Sequence, residues 1–155
     1  MRWLIILVLF MCSLSCKSQD IYPFVNILNK PCIKPISGYQ YETCGAMIVD
    51  IDDQTFIVPR HFNSDLASIP RWYWPILSPR HSKLVYPGIL HDYLYSCPAN
   101  LSREYTDRVL FSALISEGVS RYTAYKMYYA VRLFGASHFK SDNYCISRDF
   151  EDMKK

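Results

Sequence analysis

Two stretches of helical periodicity separated by a four-residue breaker constrain this chain more than any other feature. From Lys83 to Cys97, residues Leu84, Val85, Ile89, Leu90 and Leu94 fall on one side of a helix. From Leu101 to Glu117, Val109, Leu110, Ala113 and Leu114 recur at the same period. Between them, Cys97-Pro98-Ala99-Asn100 breaks the pattern, because Pro98 disfavours helical backbone at the residue before it. So short a connection makes the two helices antiparallel neighbours.

That hairpin turns spacing into geometry. His91 lies about five residues before the turn and Asp107 about five after it. At about 1.5 Å per residue both sit roughly 7–8 Å from the hairpin end, at matched depth. Tyr95, four residues after His91, shares its face. A carboxylate that fixes a histidine tautomer beside a second carboxylate, here Asp92, is one way to build a general base or a metal site.

The chain of 155 residues is half apolar, enough for one domain with a real core. A formal charge of +3, with Lys and Arg scattered, excludes a nucleic-acid partner as the leading reading. Met1-Arg2, the apolar run Trp3 to Met11 and the small residues Ser13 and Ser15 have the layout of a secretory signal peptide over residues 1–16. The run is too short for a permanent transmembrane helix. Ser15-Cys16 resembles a lipoprotein processing site, which makes Cys16 a candidate for lipid attachment. Export to the bacterial envelope, tethered to its membrane, is therefore expected. Past the leader, Cys32, Cys44, Cys97 and Cys145 form an even set, and two disulfides in any of three connectivities are expected in an oxidising compartment.

Residues 17–45, punctuated by Pro23, Pro31 and Pro35, read as a tether with irregular loops. Ala46 to Ile51 and Thr55 to Val58 flank Asp52-Asp53-Gln54 and read as a β-hairpin. The segment Pro59 to Pro79, with Trp72-Tyr73-Trp74, is too rich in proline for one regular element and reads as a packed or membrane-facing loop. A third helix is expected from Ser120 to Phe134, capped by Ser120 and ended by Gly135. Its stripe of Tyr122, Tyr125, Met127, Tyr128, Tyr129, Val131, Leu133 and Phe134 reads as core. Residues 141–155 form a charged tail. The expected fold is mainly α with one small β-hairpin, an α+β chain built on a compact three-helix core, with residues 46–140 as its domain.

Phe62-Asn63-Ser64-Asp65-Leu66-Ala67-Ser68-Ile69-Pro70-Arg71, Ile89-Leu90-His91-Asp92-Tyr93-Leu94-Tyr95, Arg103, Asp107 and Ala130-Val131-Arg132-Leu133-Phe134-Gly135 occur in that order. This set resembles domain-of-unknown-function family 1353, an uncharacterised family of phages and their hosts, over roughly residues 56–139. The resemblance implies a phage or prophage origin, and it marks Ser68, Arg71 and Arg103 as further candidate site residues. More locally, His-Asp-x-x-Tyr answered by an aspartate on the next helix is similar to phospholipase A2 domains. By that resemblance His91 would deprotonate water, Asp107 would hold the other imidazole nitrogen and fix its tautomer, Tyr95 would bond Asp107, and Asp92 would ligate Ca²⁺. The glycine-rich calcium loop of those enzymes is missing from a chain with five glycines, leaving Asp65 as a substitute oxygen donor. His61, His91-Asp92 and Asp107 also follow the order of metal-dependent phosphohydrolase ligands.

Two functional expectations result. One is a His-Asp hydrolase acting on an envelope ester, phospholipid first, with Ca²⁺ as cofactor. The other is a non-enzymatic envelope-binding protein serving receptor blocking, phage entry or lysis. A purely structural role for the His-Asp pair is a third, since Asp-His bonds also satisfy buried histidines. Arg103 and Arg132 then only bond a carboxylate or a helix end, and His81 and His138 read as surface histidines.

Overall fold

The structure, a computed structural model, describes residues 22–38, 40–66, 82–97 and 100–140. Its strands are β1 (Val25–Ile27), β2 (Ile33–Ser37), β3 (Gln40–Thr43), β4 (Met47–Ile51), β5 (Gln54–Val58) and β6 (Asn63–Ser64). Three helices follow: α1 (Ser82–Ser96), α2 (Arg103–Ser116) and α3 (Arg121–Phe134), the last running into a 3₁₀ turn at Gly135–His138.

The strands form two three-stranded antiparallel sheets, ordered β1-β4-β5 and β2-β3-β6. This corrects the mainly helical expectation: the fold is α+β with six described strands. The hairpin anticipated from sequence exists as β4 and β5, with Ile51 paired to Gln54 and Asp52 at φ 51° in the turn. Its β4 strand is the centre of a sheet, however, because β1 pairs with β4 on the other side and leaves β5 at the edge. Residues 25–41, read as loops for their prolines, supply β1, β2 and the start of β3. Pro35 is tolerated because β2 is an edge strand, and the register shifts between Pro35 and Ser37. A Cys32–Cys44 disulfide closes this hairpin at its base. Cys97 is disulfide-bonded as well, while Cys145 lies outside the described residues.

Strand alternation explains which face is buried. In β4, Met47, Val49 and Ile51 point inward while Ile48 and Asp50 are partly exposed. The inward set packs with Val25, Val58 and Leu66 against Val85, Ile89, Leu90 and Leu94 of α1 and Val109 and Ala113 of α2. A second cluster joins the helices to one another through Leu84, Leu110, Phe111, Leu114, Ala124, Met127 and Val131. Ser102 caps α2 by accepting from the Tyr105 amide at 3.2 Å, and Ser120 caps α3 by accepting from the Thr123 amide at 3.2 Å. Gly118, between them, takes φ 74°, which suits a residue without Cβ.

The expected aromatic core of α3 is only half buried. Ala124, Met127, Ala130 and Val131 face inward, whereas Tyr122, Tyr125, Tyr129, Leu133 and Phe134 are exposed. The expected leader with Cys16, the segment holding Ser68, Arg71 and Trp72 to Trp74, His81, and residues 141–155 lie outside the described residues. No helix among the described residues is long and apolar enough to cross a membrane.

Candidate functional site

Helices α1, α2 and α3 converge on one carboxylate. Asp107 is 0% exposed, and His91, itself 2% exposed, meets its Oδ1 through Nε2 at 3.0 Å. Tyr95 donates its hydroxyl to the same oxygen at 2.5 Å, and Arg132 donates Nη1 to Oδ2 at 2.8 Å. Arg103 donates to the Arg132 carbonyl at 3.1 Å, holding the end of α3, and its guanidinium lies 4.0 Å from Asp107. The matched depth inferred for His91 and Asp107 thus produces contact, with Tyr95 on the same face.

The electrostatics of this network favour an ionised acid and a neutral imidazole. Burial pushes the Asp107 carboxyl up, but hydrogen bonds from His91, Tyr95 and Arg132 outweigh it and hold the carboxyl below its usual range. Burial dominates at His91 and lowers its basicity despite Asp107. Tyr95 is raised by burial and then by Asp107, so it remains a donor. Such a network is fully capable of bracing three helices. His91 does not line the cavity described next.

A second carboxyl group opens to solvent. Asp92, one residue further along α1, lines a cavity of about 260 Å³ with Gln40, Asn63, Ser64, Asp65 and Tyr95, and with His138 and Lys140. Ser64 donates to Asp92 Oδ2 at 2.5 Å, and the Leu66 amide donates to Ser64 Oγ at 2.9 Å. Asp92 Oδ1 is buried and meets no hydrogen-bond donor. The Asp65 carboxyl lies within hydrogen-bond reach of Asp92. Burial first, and then the Asp65 charge, push Asp92 up to about 8. Two carboxyls in contact cannot both ionise cheaply, and one proton between them satisfies both.

Local backbone explains why these acids meet. Leu66 adopts φ 67°, and its backbone lies directly on Gly88 of α1, where a Cβ would come within 2.0 Å of the Leu66 carbonyl oxygen. The glycine lets the strand β6 segment sit on the helix, which delivers Ser64 and Asp65 to Asp92 one turn away.

The orphaned Asp92 oxygen is the kind of atom a cation would satisfy. Ca²⁺ takes about six to eight oxygens, however. Among the described residues no group of three His, Cys, Asp or Glu could hold a metal. The described donors fit a shared proton rather than a metal. His61 is directed elsewhere, bonding Glu42 through Nδ1 at 2.9 Å on the second sheet, so the phosphohydrolase ligand order is not assembled around it. Gln40 and Lys140 carried no local signal in the sequence, whereas Ser64 lay in the motif from Phe62 to Arg71 without being singled out. His138, read as a surface histidine, is exposed and lines the cavity.

The architecture defines an α+β domain with a buried aspartate hub and, beside it, a polar cavity containing a carboxyl pair. The family model described as Protein of unknown function (DUF1353) matches residues 44–131, more than half of the chain, and the chain belongs to that family. No curated protein and no solved structure matches it significantly.

Proposed function

We propose that this chain is an exported, envelope-associated hydrolase of phage or prophage origin that cleaves a carboxylic ester, phospholipid first, using Asp65 and Asp92. The observation that carries this reading is the buried Asp92 carboxyl, raised to about 8 and in contact with Asp65, in a cavity open to substrate. Near neutrality the pair holds one proton. Its ionised member takes a proton from water as the water oxygen attacks the ester carbonyl carbon. The proton already on the pair passes to the carbonyl oxygen. Collapse of the tetrahedral intermediate then breaks the bond to the alcohol oxygen, which takes the proton the pair gained from water. The former carbonyl oxygen returns its proton to the pair, and the acid is released. Lys140 at the same cavity supplies a positive charge for an anionic headgroup. In this reading His91 and Asp107 hold α1 in place rather than touch the reacting atoms.

The test is fatty-acid release from phospholipid vesicles by the protein lacking residues 1–16, with and without calcium. Asp65→Asn and Asp92→Asn are each expected to lower release by at least about a hundredfold, the scale of general acid–base catalysis. Release that survives both substitutions would remove the carboxyl pair from the chemistry. A second reading, a non-enzymatic envelope-binding protein, is favoured by the burial of His91 and Asp107. It stands if the wild-type protein releases no fatty acid under either condition.

A further inference from the structure

We infer that the outer face of α3 is a docking surface for an anionic phospholipid bilayer. Tyr122 is 71% exposed, Tyr129 57% and Leu133 73%, with Tyr125 and Phe134 also exposed. Spacings of three, four and four residues from Tyr122 through Tyr125 and Tyr129 to Leu133 place these side chains on one side of the helix. The opposite side, Ala124, Met127, Ala130 and Val131, is already used in packing. Exposed aromatic area gathered in this way marks an interaction surface.

Charge and chemistry select lipid as the occupant. The helix RYTAYKMYYAVRLF contains no acidic residue, and with Arg132 bound to Asp107 its outward cations are Arg121 and Lys126. Lys126 Nζ lies 4.1 Å from the Tyr122 ring centroid, so cation and aromatic ring are presented together. Tyrosines with an apolar body and a polar tip suit the headgroup boundary, and interspersed cations suit anionic lipid.

The course of the chain points the same way. Tyr22 packs on Phe111 at 4.4 Å and on Tyr128 at 6.5 Å between ring centroids, and Phe111 packs on Tyr125 at 4.7 Å. The chain therefore enters the domain at the edge of this face. Cys16 stands six residues earlier. At about 3.3–3.6 Å per extended residue, an anchor there keeps Tyr22 within roughly 20 Å of the bilayer. This step rests on the exported, tethered reading above, whereas exposure and charge do not. Docking would also bring the bilayer close to the cavity, because α3 runs through the 3₁₀ turn into His138 and Lys140.

The experiment uses the chain from Lys17 onward, which retains every described element and carries no lipid. Co-sedimentation with phosphatidylcholine vesicles is compared with and without phosphatidylglycerol. Binding is expected to strengthen with the anionic lipid and to weaken about fivefold for each of Arg121→Gln and Lys126→Gln. The triple variant Tyr122→Ser, Tyr129→Ser, Leu133→Ser is expected to lose at least about tenfold in vesicle binding, with an unchanged melting temperature. It should still cleave a short-chain soluble ester at the wild-type rate, which separates failure of this surface from failure of the carboxyl-pair reading. Equal binding by wild type and triple variant overturns the proposal, as does indifference to phosphatidylglycerol. So does a wild-type dimer in sedimentation velocity that becomes monomeric in the triple variant without any vesicle binding, since the face would then be an interface between copies.

Discussion

The backbone of Leu66 rests on Gly88 so closely that a Cβ at position 88 would stand 2.0 Å from the Leu66 carbonyl oxygen. No flexible side-chain end is available to yield there, because the obstructing atoms are backbone. Gly88→Ala is therefore expected to push the β6 segment off α1 and to cost about 1–3 kcal/mol in stability. Because that segment carries Ser64 and Asp65, the same substitution should also pull Asp65 away from Asp92. A urea midpoint equal to wild type would mean that the contact is looser than described.

Asp92 makes stability depend on pH in an unusual direction. Its ordinary value is 3.8 and its folded value is about 8, so the folded chain holds a proton that the unfolded chain releases between them. Stability contributed by this group is complete below the unfolded value and falls as pH rises toward about 8. Asp92→Asn keeps the shape, offers a donor to Asp65 and removes that slope. The variant is expected to be the more stable protein above about pH 8, by about 1–3 kcal/mol. Urea midpoints from about pH 4 up to and just beyond about 8 test this, and parallel curves for the two proteins across that interval would deny the shared proton.

The helices were legible from periodicity, although α1 buries residues around most of its circumference rather than along one stripe. Their observed limits, Ser82–Ser96, Arg103–Ser116 and Arg121–Phe134, lie within a few residues of those the pattern gave. The meeting of His91, Tyr95 and Asp107 was equally legible, since distance from a turn converts directly to depth. Strands β2 and β3 were hidden because Pro35 looks like a loop residue unless the strand is known to be an edge. The Asp65–Asp92 contact was hidden for a different reason: it depends on a left-handed Leu66 seated on Gly88, and no local pattern encodes that docking. The side of α3 that faces inward was also ambiguous, because aromatic and aliphatic residues occur around most of its circumference.

The Cys32–Cys44 bond lies outside both hydrophobic clusters, so its contribution is separable from packing. It joins residues twelve apart at the open end of the β2–β3 hairpin. Closing a loop of that size restricts the unfolded chain by about 3 kcal/mol. Replacing both cysteines with alanine is expected to lower stability by about 2–4 kcal/mol while leaving the carboxyl pair in place. Denaturant titration of the double variant measures the first part, and the ester hydrolysis proposed above the second. A variant as stable as wild type would show that the hairpin is held by its other contacts.

Asp107 acts as a hub, and its partners do not contribute equally. Tyr95→Phe removes one hydrogen bond but keeps the ring that packs against Phe139 and approaches Gly135, so a loss of about 0.5–1.5 kcal/mol is expected. Asp107→Ala strands the donors of His91, Tyr95 and Arg132 at once, and about 3–5 kcal/mol is expected. The network also sets an acid limb opposite in sign to that of Asp92. His91 is lowered from 6.5, so the unfolded chain gains a proton before the folded one does. The stability contributed by His91 therefore falls as pH drops through about 6.5 and levels off below its folded value. Asp107, lowered from 3.8, adds a further loss at more acid pH, as its folded carboxylate is finally protonated. His91→Gln keeps a donor for Asp107 and removes the first of these losses only. Both proteins share the Asp92 gain on acidification. Melting temperatures from neutral to acid pH should therefore show the variant gaining on wild type as pH drops through about 6.5, with a constant gap at lower pH. A gap that stays the same through about 6.5 would show that the buried imidazole binds its proton as readily as an exposed one.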